Sequence, residues 1–197
     1  MKGILLSGGM DSISLAYWKR PNWAFTVDYG QHSAKAEITA AHEVTKQLRI
    51  SHRVINVDCS SIGSGDLINK SASDLAPESD WWPYRNQLLV TLVAGVAVNL
   101  GVEELMVGSV KNDNYHKDGS PEFYSQLSKL MELQEGNLQI TAPAINLTAA
   151  ELISTSKVPT EVLSWAHSCH KGNIPCRNCR GCNKYFSEFK ALGENVS

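Results

Sequence analysis

The sequence lacks a long apolar run and lacks any excess of basic charge. No stretch approaches the roughly 20 apolar residues that a membrane-spanning helix needs. A glycine-rich turn interrupts the apolar start after a few residues, which a signal peptide does not show. We therefore expect a cytoplasmic protein. With 18 Lys and Arg against 20 Asp and Glu, the formal net charge of -2 gives no electrostatic reason to expect stable binding of nucleic acid.

Cysteine is scarce, and its distribution is uneven. Four of the five cysteines lie between Cys169 and Cys182, and Cys59 stands apart. In a reducing compartment this crowding favours a metal site over two cramped disulfides. We expect Cys59 to be a buried or half-buried thiol.

Short apolar stretches alternate with amphipathic stretches along the first 150 residues. This alternation predicts parallel strands whose connecting helices cover both faces of one sheet. Thr148 and Glu151 have the spacing of a capping box, which marks a further helix start. We therefore expect an α/β fold with a doubly wound, parallel, five-stranded sheet. The predicted strands are residues 3–6, 23–28, 53–58, 105–110 and 140–144, and the predicted helices are residues 12–19, 34–48, 86–100 and 122–134.

The hexapeptide SGGMDS, residues 7–12, lies where the first predicted strand passes into the first predicted helix. Backbone amides and the helix dipole converge there on one anion, and the glycines let the backbone approach it closely. The Walker pattern needs a Lys-Ser or Lys-Thr pair after its second glycine, and the dinucleotide fingerprint needs a third glycine. Since both are missing, neither a kinase nor a dehydrogenase is favoured. The hexapeptide predicts a pyrophosphate-binding loop, and the alternative is an ordinary glycine turn before a helix.

A second group of residues follows the second predicted strand. Open parallel sheets bind their ligands at the carboxyl ends of the strands. We therefore expect this group to contact a nucleotide, although an Asp-Tyr-Gly turn alone is also an ordinary strand end. The group consists of Val27, Asp28, Tyr29, Gly30 and Gln31.

Aromatic and basic residues precede the third predicted helix. Trp82 and Tyr84 form a candidate platform for stacking a flat heterocycle, with Arg85 and Asn86 beside it. The Arg85 guanidinium can neutralise a triphosphate or a carboxylate. The alternative for Trp82 is that it packs against the apolar helix.

The fourth predicted strand leads into an unusually polar loop, residues 108–123. Asp113 and Asp118 are candidates for holding Mg²⁺ or for hydrogen bonding to a base edge, and His116 is a candidate proton carrier. Ordinary solvated charges are the alternative for each of them. The position after a strand favours a functional role most for Asp113.

The four clustered cysteines have the spacing Cys-x6-Cys-x2-Cys-x2-Cys. Four thiolates complete a tetrahedral zinc site, and such a site is structural because no coordination position remains for water. An iron–sulfur cluster is the alternative, since four cysteines also ligate iron. The predicted ligands are Cys169, Cys176, Cys179 and Cys182.

The phosphate hexapeptide resembles the signature of the PP-loop ATP-pyrophosphatases, which cleave ATP to AMP and pyrophosphate. Its combination with the Asp28–Gln31 stretch, the Arg85-Asn86 pair and the cysteine segment resembles the 7-cyano-7-deazaguanine synthases, the QueC family, over nearly the whole chain. The resemblance implies a zinc-containing ligase that adenylates 7-carboxy-7-deazaguanine. Ammonia then displaces AMP to form the amide, and a second ATP drives dehydration to the nitrile.

The resemblance and the residue patterns described above together assign roles to residues and to parts of the chain. It implies ATP, Mg²⁺ and Zn²⁺ as cofactors, and it allows a homodimer. We expect a PP-loop domain at residues 1–166, a zinc-binding segment of the same domain at residues 167–184, and a tail at residues 185–197. The expected phosphate-binding residues are Ser7, Gly8, Gly9, Asp11 and Ser12. The expected catalytic residues are Ser7, Asp11, Ser12, Arg85 and Asp113, and the expected substrate-binding residues are Trp82, Tyr84, Arg85, Asn86, Asp113, His116 and Asp118.

Two departures from the family leave alternatives open. Tyr84 stands where the family usually has glycine, and residues 116–120 replace a Tyr-Pro-Asp-Cys-Arg-like stretch. The altered loop resembles a divergent branch found in anti-phage operons, in which the activated deazaguanine is joined to a protein amine. Modification of a tRNA base is a second alternative, and the near-neutral charge counts against it. A zinc-containing adaptor without turnover is the non-enzymatic alternative.

Overall fold

The computed structural model describes residues 1–113 and 116–191. Strands and helices alternate along the chain. In order they are β1 (Lys2–Leu5), α1 (Met10–Lys19), β2 (Trp23–Asp28), α2 (Ala34–Leu48), β3 (Ser51–Asn56), α3 (Arg85–Ala97), β4 (Glu104–Met106), α4 (Pro121–Glu132), β5 (Gln139–Thr141), α5 (Ala149–Ser156), α6 (Thr160–Leu163) and α7 (Arg180–Ala191). Short 3-10 turns lie at Ser60–Ile62, Asp66–Ile68, Val98–Leu100, Lys111–Asp113 and Lys117–Gly119.

The strands form one parallel sheet in the order β3-β2-β1-β4-β5. The central strand β1 pairs through Ile4 with Ala24 on one side and with Met106 on the other. The strand order therefore reverses beside β1. At such a switch point the carboxyl ends of neighbouring strands leave a crevice, which is where open α/β sheets bind ligands.

Alternate residues of each strand are buried on opposite faces of the sheet. Phe25 and Leu105 belong to a core completed by residues of α3 and α4. Ala24 and Met106 belong to a second core, completed by residues of α1, α2, α5, α6 and α7. Helices thus cover both faces, and the predicted doubly wound, five-stranded α/β fold is confirmed.

Several predicted boundaries differ from those observed. β4 ends at Met106 rather than at residue 110, and two residues later Gly108 passes so close to α1 that a Cβ atom there would lie 3.0 Å from the Cα of Ser12. β5 likewise ends at Thr141 instead of residue 144, and β3 lies two residues earlier than predicted. Residues 185–191, which we placed in the tail, continue helix α7.

Two local predictions are confirmed. The capping box is present, since Thr148 Oγ1 accepts from the Glu151 amide at 3.2 Å and the Glu151 carboxylate accepts from the Thr148 amide at 2.7 Å. Cys59 is buried within the core on the α3 side of the sheet. Within residues 1–113 and 116–191, every helix is too short or too polar to cross a bilayer.

Candidate functional site

A cavity of about 290 Å³ lies at the switch point of the sheet. Its walls come from the segments that follow β1, β2 and β4, from the start of α3 and from the cysteine segment. The volume is near the lower limit of ordinary small-molecule sites. Ten of the predicted site residues line it: Ser7, Gly9, Asp11, Ser12, Val27, Tyr29, Arg85, Asn86, Asp113 and His116.

The phosphate loop has the tight geometry that its glycines predict. Gly8 has a φ of +76°, and a Cβ atom there would lie 2.6 Å from the carbonyl oxygen of Glu37. Gly9 is the N-cap of α1 and has no side chain with which to cap the first amides of the helix. Ser12 Oγ donates to the Gly9 carbonyl at 2.9 Å and lies 3.2 Å from Ser7 Oγ. Two hydroxyls and a helix N-terminus therefore meet at one end of the cavity, an arrangement suited to a phosphate group.

Lys184 of helix α7 reaches this end of the cavity. Its Nζ lies 2.6 Å from Asp11 Oδ2 and 3.4 Å from Asp113 Oδ1. Burial alone lowers the pKa of Lys184, but the charges of Asp11 and Asp113 outweigh that effect and leave the pKa raised. The buried Oδ1 atom of Asp11 has no hydrogen-bond partner among the described residues. The Lys184 ammonium thus pairs with both Asp11 and Asp113, and Asp11 Oδ1 is left to bind a further cation or hydrogen-bond donor.

In the segment after β2, some residues line the cavity and others stabilise a turn. Asp28 Oδ1 accepts from the Gly30 amide at 3.1 Å, and Gly30 has a φ of +96°. Gln31 is buried, accepts from the Tyr29 amide at 2.9 Å and donates to the Val27 carbonyl at 3.1 Å. Asp28, Gly30 and Gln31 therefore shape the turn and do not line the cavity.

Tyr29 and Arg85 both line the cavity and interact with each other. Burial raises the pKa of the Tyr29 hydroxyl, although the positive charge of Arg85 partly offsets this rise. Arg85 lies at the first position of α3, where its guanidinium lines the cavity. The side chain therefore places a positive charge at the cavity wall.

The prediction that Trp82 and Tyr84 bind substrate by stacking is wrong. Trp82 is 1% exposed, and its ring meets that of Tyr29 edge-on at 4.9 Å between centroids. It also packs so closely on Gly63 that a Cβ atom there would lie 2.8 Å from the indole. Tyr84 is 77% exposed and lies outside the cavity lining. The burial of Trp82 in the core follows from its large apolar surface.

Asp118 positions helix α3 and does not line the cavity. Its carboxylate accepts from the Asn86 amide at 3.2 Å, in the first turn of α3, and its carbonyl accepts from Asn86 Nδ2 at 2.9 Å. The prediction that Asp118 binds substrate directly is therefore not supported by its position, whereas Asn86 does line the cavity.

A polar cluster lies on the cavity wall around Asp80, which sequence reasoning did not identify. Asp80 lies 3.5 Å from His116 Nε2, 3.2 Å from His170 Nδ1 and 3.4 Å from Arg180 NH1. Burial tends to raise the pKa of Asp80, but the hydrogen bond with His116 and the nearby positive charges hold it well below its usual range. Burial lowers the pKa of His170 to about 4, so Arg180 supplies positive charge at neutral pH.

The four predicted cysteine ligands come together. Their sulfur atoms all lie within 4.8 Å of one another, and Cys176 Sγ is 3.9 Å from Cys182 Sγ. Four sulfurs at about 2.3 Å from one tetrahedral metal ion would be about 3.8 Å apart. Burial and the neighbouring thiols raise the pKa of Cys182 to about 12, so the thiolate is disfavoured in the metal-free protein. A bound cation would stabilise the thiolate. The cluster therefore fits one metal ion, and it is too compact to surround several irons.

The cysteine segment also forms a wall of the cavity. The His167 amide donates to the Gly8 carbonyl at 2.9 Å, so the segment is joined directly to the phosphate loop. At Gly181 a Cβ atom would collide with the Ser168 carbonyl, so glycine is required where α7 leaves the cluster. Arg180 and Lys184 lie four residues apart on α7, on one helix face that borders the cavity.

Several residues of the site carry no strong sequence signal. Glu37 is one of them: it lines the cavity while it accepts hydrogen bonds from Ser33 at 2.6 Å and from Gln31 at 2.9 Å. Asp80 lies in an irregular segment without a motif. The four-residue spacing of Arg180 and Lys184 beside Cys182 is the one pattern that indicates a shared helix face.

Comparison with known proteins gives a family match over almost the whole chain. The family model described as "Queuosine biosynthesis protein QueC" matches residues 3–193. A 7-cyano-7-deazaguanine synthase of Methanococcus maripaludis strain S2 is 28% identical, over 98% of this chain and 96% of that protein. One from Chromobacterium violaceum is 26% identical, over 96% and 89% respectively. Among solved structures, a teicoplanin-pathway deacetylase covers 98% of this chain and 93% of its own with 11% identity and a TM-score of 0.47, a similarity too weak to inform fold or function.

Proposed function

Since this chain belongs to the QueC family, we propose that it converts 7-carboxy-7-deazaguanine to 7-cyano-7-deazaguanine with two molecules of ATP. The relatives that it resembles over nearly their full length are named for that product. The structural observation that carries the proposal is the 2.9 Å hydrogen bond from His167 to Gly8, which unites the phosphate loop and the cysteine segment in one cavity. A phosphate site and a metal-anchored wall around one cavity suit an enzyme that activates a small carboxylate.

The phosphate loop would hold the phosphates of ATP. The Ser7 hydroxyl and the backbone amides at the N-terminus of α1 would donate to them, and the Ser12 hydroxyl would turn from the Gly9 carbonyl, to which it donates, toward the phosphate. Asp11 and Asp113 would hold Mg²⁺, because hard cations prefer carboxylate oxygens. The bound ion would neutralise phosphate charge. Val27 and Tyr29 would border the nucleotide, since both line the cavity beside the loop.

The first step would be adenylation. A carboxylate oxygen of the substrate attacks the α-phosphorus of ATP, the bond from that phosphorus to the bridging oxygen breaks, and the electron pair leaves with pyrophosphate. Arg85 would hold the substrate carboxylate, because its guanidinium is a fixed cation on the cavity wall. Asn86 would contact the heterocycle from the next position of α3.

The second step would form the amide. Ammonia attacks the activated carbonyl carbon, AMP leaves, and the nitrogen loses a proton, for which His116 is the acceptor that we assign. The amide oxygen would then attack the α-phosphorus of a second ATP with release of pyrophosphate, and loss of AMP and two protons gives the nitrile. The four cysteines would hold Zn²⁺ in a closed site, so its role would be to fix the wall of the cavity.

The test is mass spectrometry of products after incubation of the protein with ATP, Mg²⁺, 7-carboxy-7-deazaguanine and ammonium. We expect AMP, pyrophosphate and the nitrile, and we expect loss of all three in Asp11→Asn. An exposed acidic variant, Glu135→Gln, is the matched control and should retain activity. AMP without nitrile, together with a deazaguanine adduct on a protein amine, would identify the conjugating reaction instead. No AMP above background would contradict the proposal.

A further inference from the structure

Lys184 occupies a place in the cavity that the proposed reaction does not yet explain. The cations that line the cavity in the described part of the chain are Arg85, Arg180 and Lys184, apart from histidine. Arg85 interacts electrostatically with Tyr29, and Arg180 lies against Asp80. Lys184 is the cation at the phosphate loop, because its Nζ is 2.6 Å from a carboxylate in the first turn of α1.

The surroundings of Lys184 are those of a phosphate site that a carboxylate now fills. Asp11 follows the N-cap of α1 by two residues, where a helix N-terminus favours an anion. Its second oxygen is buried and has no hydrogen-bond partner among the described residues. The carboxylate is therefore prepared for a partner that the described protein does not supply. Mg²⁺ held by Asp11 and Asp113, as proposed above, would balance the two carboxylates that Lys184 now balances, and the ammonium would then turn to the phosphates.

Helix α7 fixes where the ammonium can reach. The helix begins at Arg180 and contains the predicted ligand Cys182, which Lys184 follows by two residues. Lys184 is a third exposed, as is Asp113, so both side chains are open to the cavity. A long, flexible lysine anchored at its backbone can follow a phosphate group over a short distance without a movement of the helix.

We propose that Lys184 binds the phosphate chain of ATP and stabilises the negative charge that develops on the departing pyrophosphate. This inference rests on the proposed adenylation for its reaction step. As the bond between the α-phosphorus and the bridging oxygen breaks, the electron pair passes to pyrophosphate, and the ammonium remains protonated beside it. A donor that reaches the place where negative charge develops is worth about 10²-fold to 10³-fold in rate. The cysteine segment thus contributes a catalytic residue to the site that it encloses.

The experiment compares Lys184→Gln and Lys184→Arg with Lys190→Gln, an exposed lysine on the same helix. Binding of pyrophosphate with Mg²⁺ is measured by calorimetry, and pyrophosphate release from ATP is measured with 7-carboxy-7-deazaguanine. We expect Lys184→Gln to weaken pyrophosphate binding at least about 10-fold and to slow release about 10²-fold. Lys184→Arg should retain binding within about 10-fold because it keeps the charge, and Lys190→Gln should match the wild type.

The outcomes separate this inference from the proposed function. Pyrophosphate binding by Lys184→Gln as tight as that of the wild type would overturn the inference, whatever the substrate. If the wild-type protein binds pyrophosphate but releases none from ATP with 7-carboxy-7-deazaguanine, the substrate assignment is wrong. The role of Lys184 in phosphate binding is then still tested by the calorimetric titration of the variants with pyrophosphate. Wild-type protein that binds neither ATP nor pyrophosphate would overturn both.

Two further measurements test whether Lys184→Gln acts only by disturbing the fold. Metal content and thermal melting show whether Lys184→Gln keeps the cysteine cluster and the fold. If the single variant does not fold, Asp113→Asn is compared with Asp113→Asn Lys184→Gln, in which fewer carboxylates are left unpaired. We expect the double variant to bind pyrophosphate at least about 10-fold more weakly than Asp113→Asn, and equal binding would overturn the inference.

Discussion

The amide of His167 donates a hydrogen bond to the carbonyl oxygen of Gly8 at 2.9 Å. This contact joins two parts of the chain that are far apart in sequence: the turn that would hold phosphate and the segment that precedes the cysteine cluster. On the other side of the cluster, in α7, Lys184 Nζ lies 2.6 Å from Asp11 Oδ2. A change that disorders the cysteine segment is therefore expected to disturb the conformation of the phosphate loop as well.

Removal of the metal is expected to weaken ATP binding as well as stability. Cys179→Ser, or treatment with a chelator, should lower the melting temperature by about 10 °C, equivalent to about 3 kcal/mol for a chain of this size. The affinity for ATP should fall about 10-fold or more, because His167 and Lys184 lose their fixed positions. Differential scanning calorimetry, metal analysis and ATP titration measure these effects. Cys59→Ala, outside the cluster, is the control and should keep the metal. Unchanged ATP affinity in the metal-free protein would contradict the coupling.

Gly8→Ala is expected to destabilise the fold and to abolish phosphate binding. The added methyl group would lie 2.6 Å from a backbone oxygen of α2 at a φ of +76°, so we expect a loss of about 1–3 kcal/mol. Gly95→Ala is the matched control, since α3 leaves open space around Gly95. That change should stabilise the protein by up to about 1 kcal/mol. Urea unfolding and ATP titration measure both variants, and tight ATP binding by Gly8→Ala would show that the loop is not the phosphate site.

The motifs of the sequence identified the two ends of the site but not what lies between them. The phosphate loop and the cysteine cluster are short segments whose spacing fixes their local geometry, so sequence alone located them. Asp80 is different, because its partners His116 and Arg180 lie 36 and 100 residues away and no local pattern records such contacts. Such pairings depend on how separate loops pack above the sheet.

Trp82 shows the opposite failure. An aromatic residue before a helix has the same sequence appearance whether it binds a ligand or fills the core. Trp82 fills the core because Gly63 and Tyr29 form a close-packed site for its indole. The strand ends were misplaced for a related reason: the apolar residues after Met106 remain buried after the sheet ends, as Val107 and Val110 show. Burial continues where strand pairing stops.

Tyr84→Gly is expected to stabilise the protein. Tyr84 has a φ of +55° although it is not glycine, and its side chain is 77% exposed, so little packing is lost on its removal. The left-handed conformation costs a non-glycine residue about 1–2 kcal/mol, which the greater flexibility of unfolded glycine offsets in part. We expect a net gain of about 0.5–1 kcal/mol in urea unfolding. Tyr84→Ala, which retains a Cβ atom, serves as the control, and equal stability of the two variants would argue against backbone strain.

Asp80→Asn is expected to destabilise the fold in a pH-dependent manner. The neutral side chain leaves Arg180 without its ion pair to Asp80, and because Arg180 is a third exposed we expect a loss of about 2 kcal/mol at pH 7. An unfolded aspartate has a pKa of about 3.9, whereas the pKa of Asp80 in the folded protein is held well below that value. Above about pH 5 both states are ionised, and the stabilisation is fully present. As the pH falls below about 4, the unfolded chain takes up a proton that the folded chain does not, so the stabilisation is lost progressively.

The difference in unfolding free energy between wild type and Asp80→Asn should therefore shrink by about 1 kcal/mol between pH 7 and pH 3. Urea unfolding at the two pH values measures it. Asp74→Asn removes an exposed carboxylate from the same connection and should show no such change. A difference that stays constant from pH 7 to pH 3 would mean that the Asp80 carboxylate is not held by its cationic neighbours. In that case the Asp80 cluster would close the wall of the cavity by packing alone.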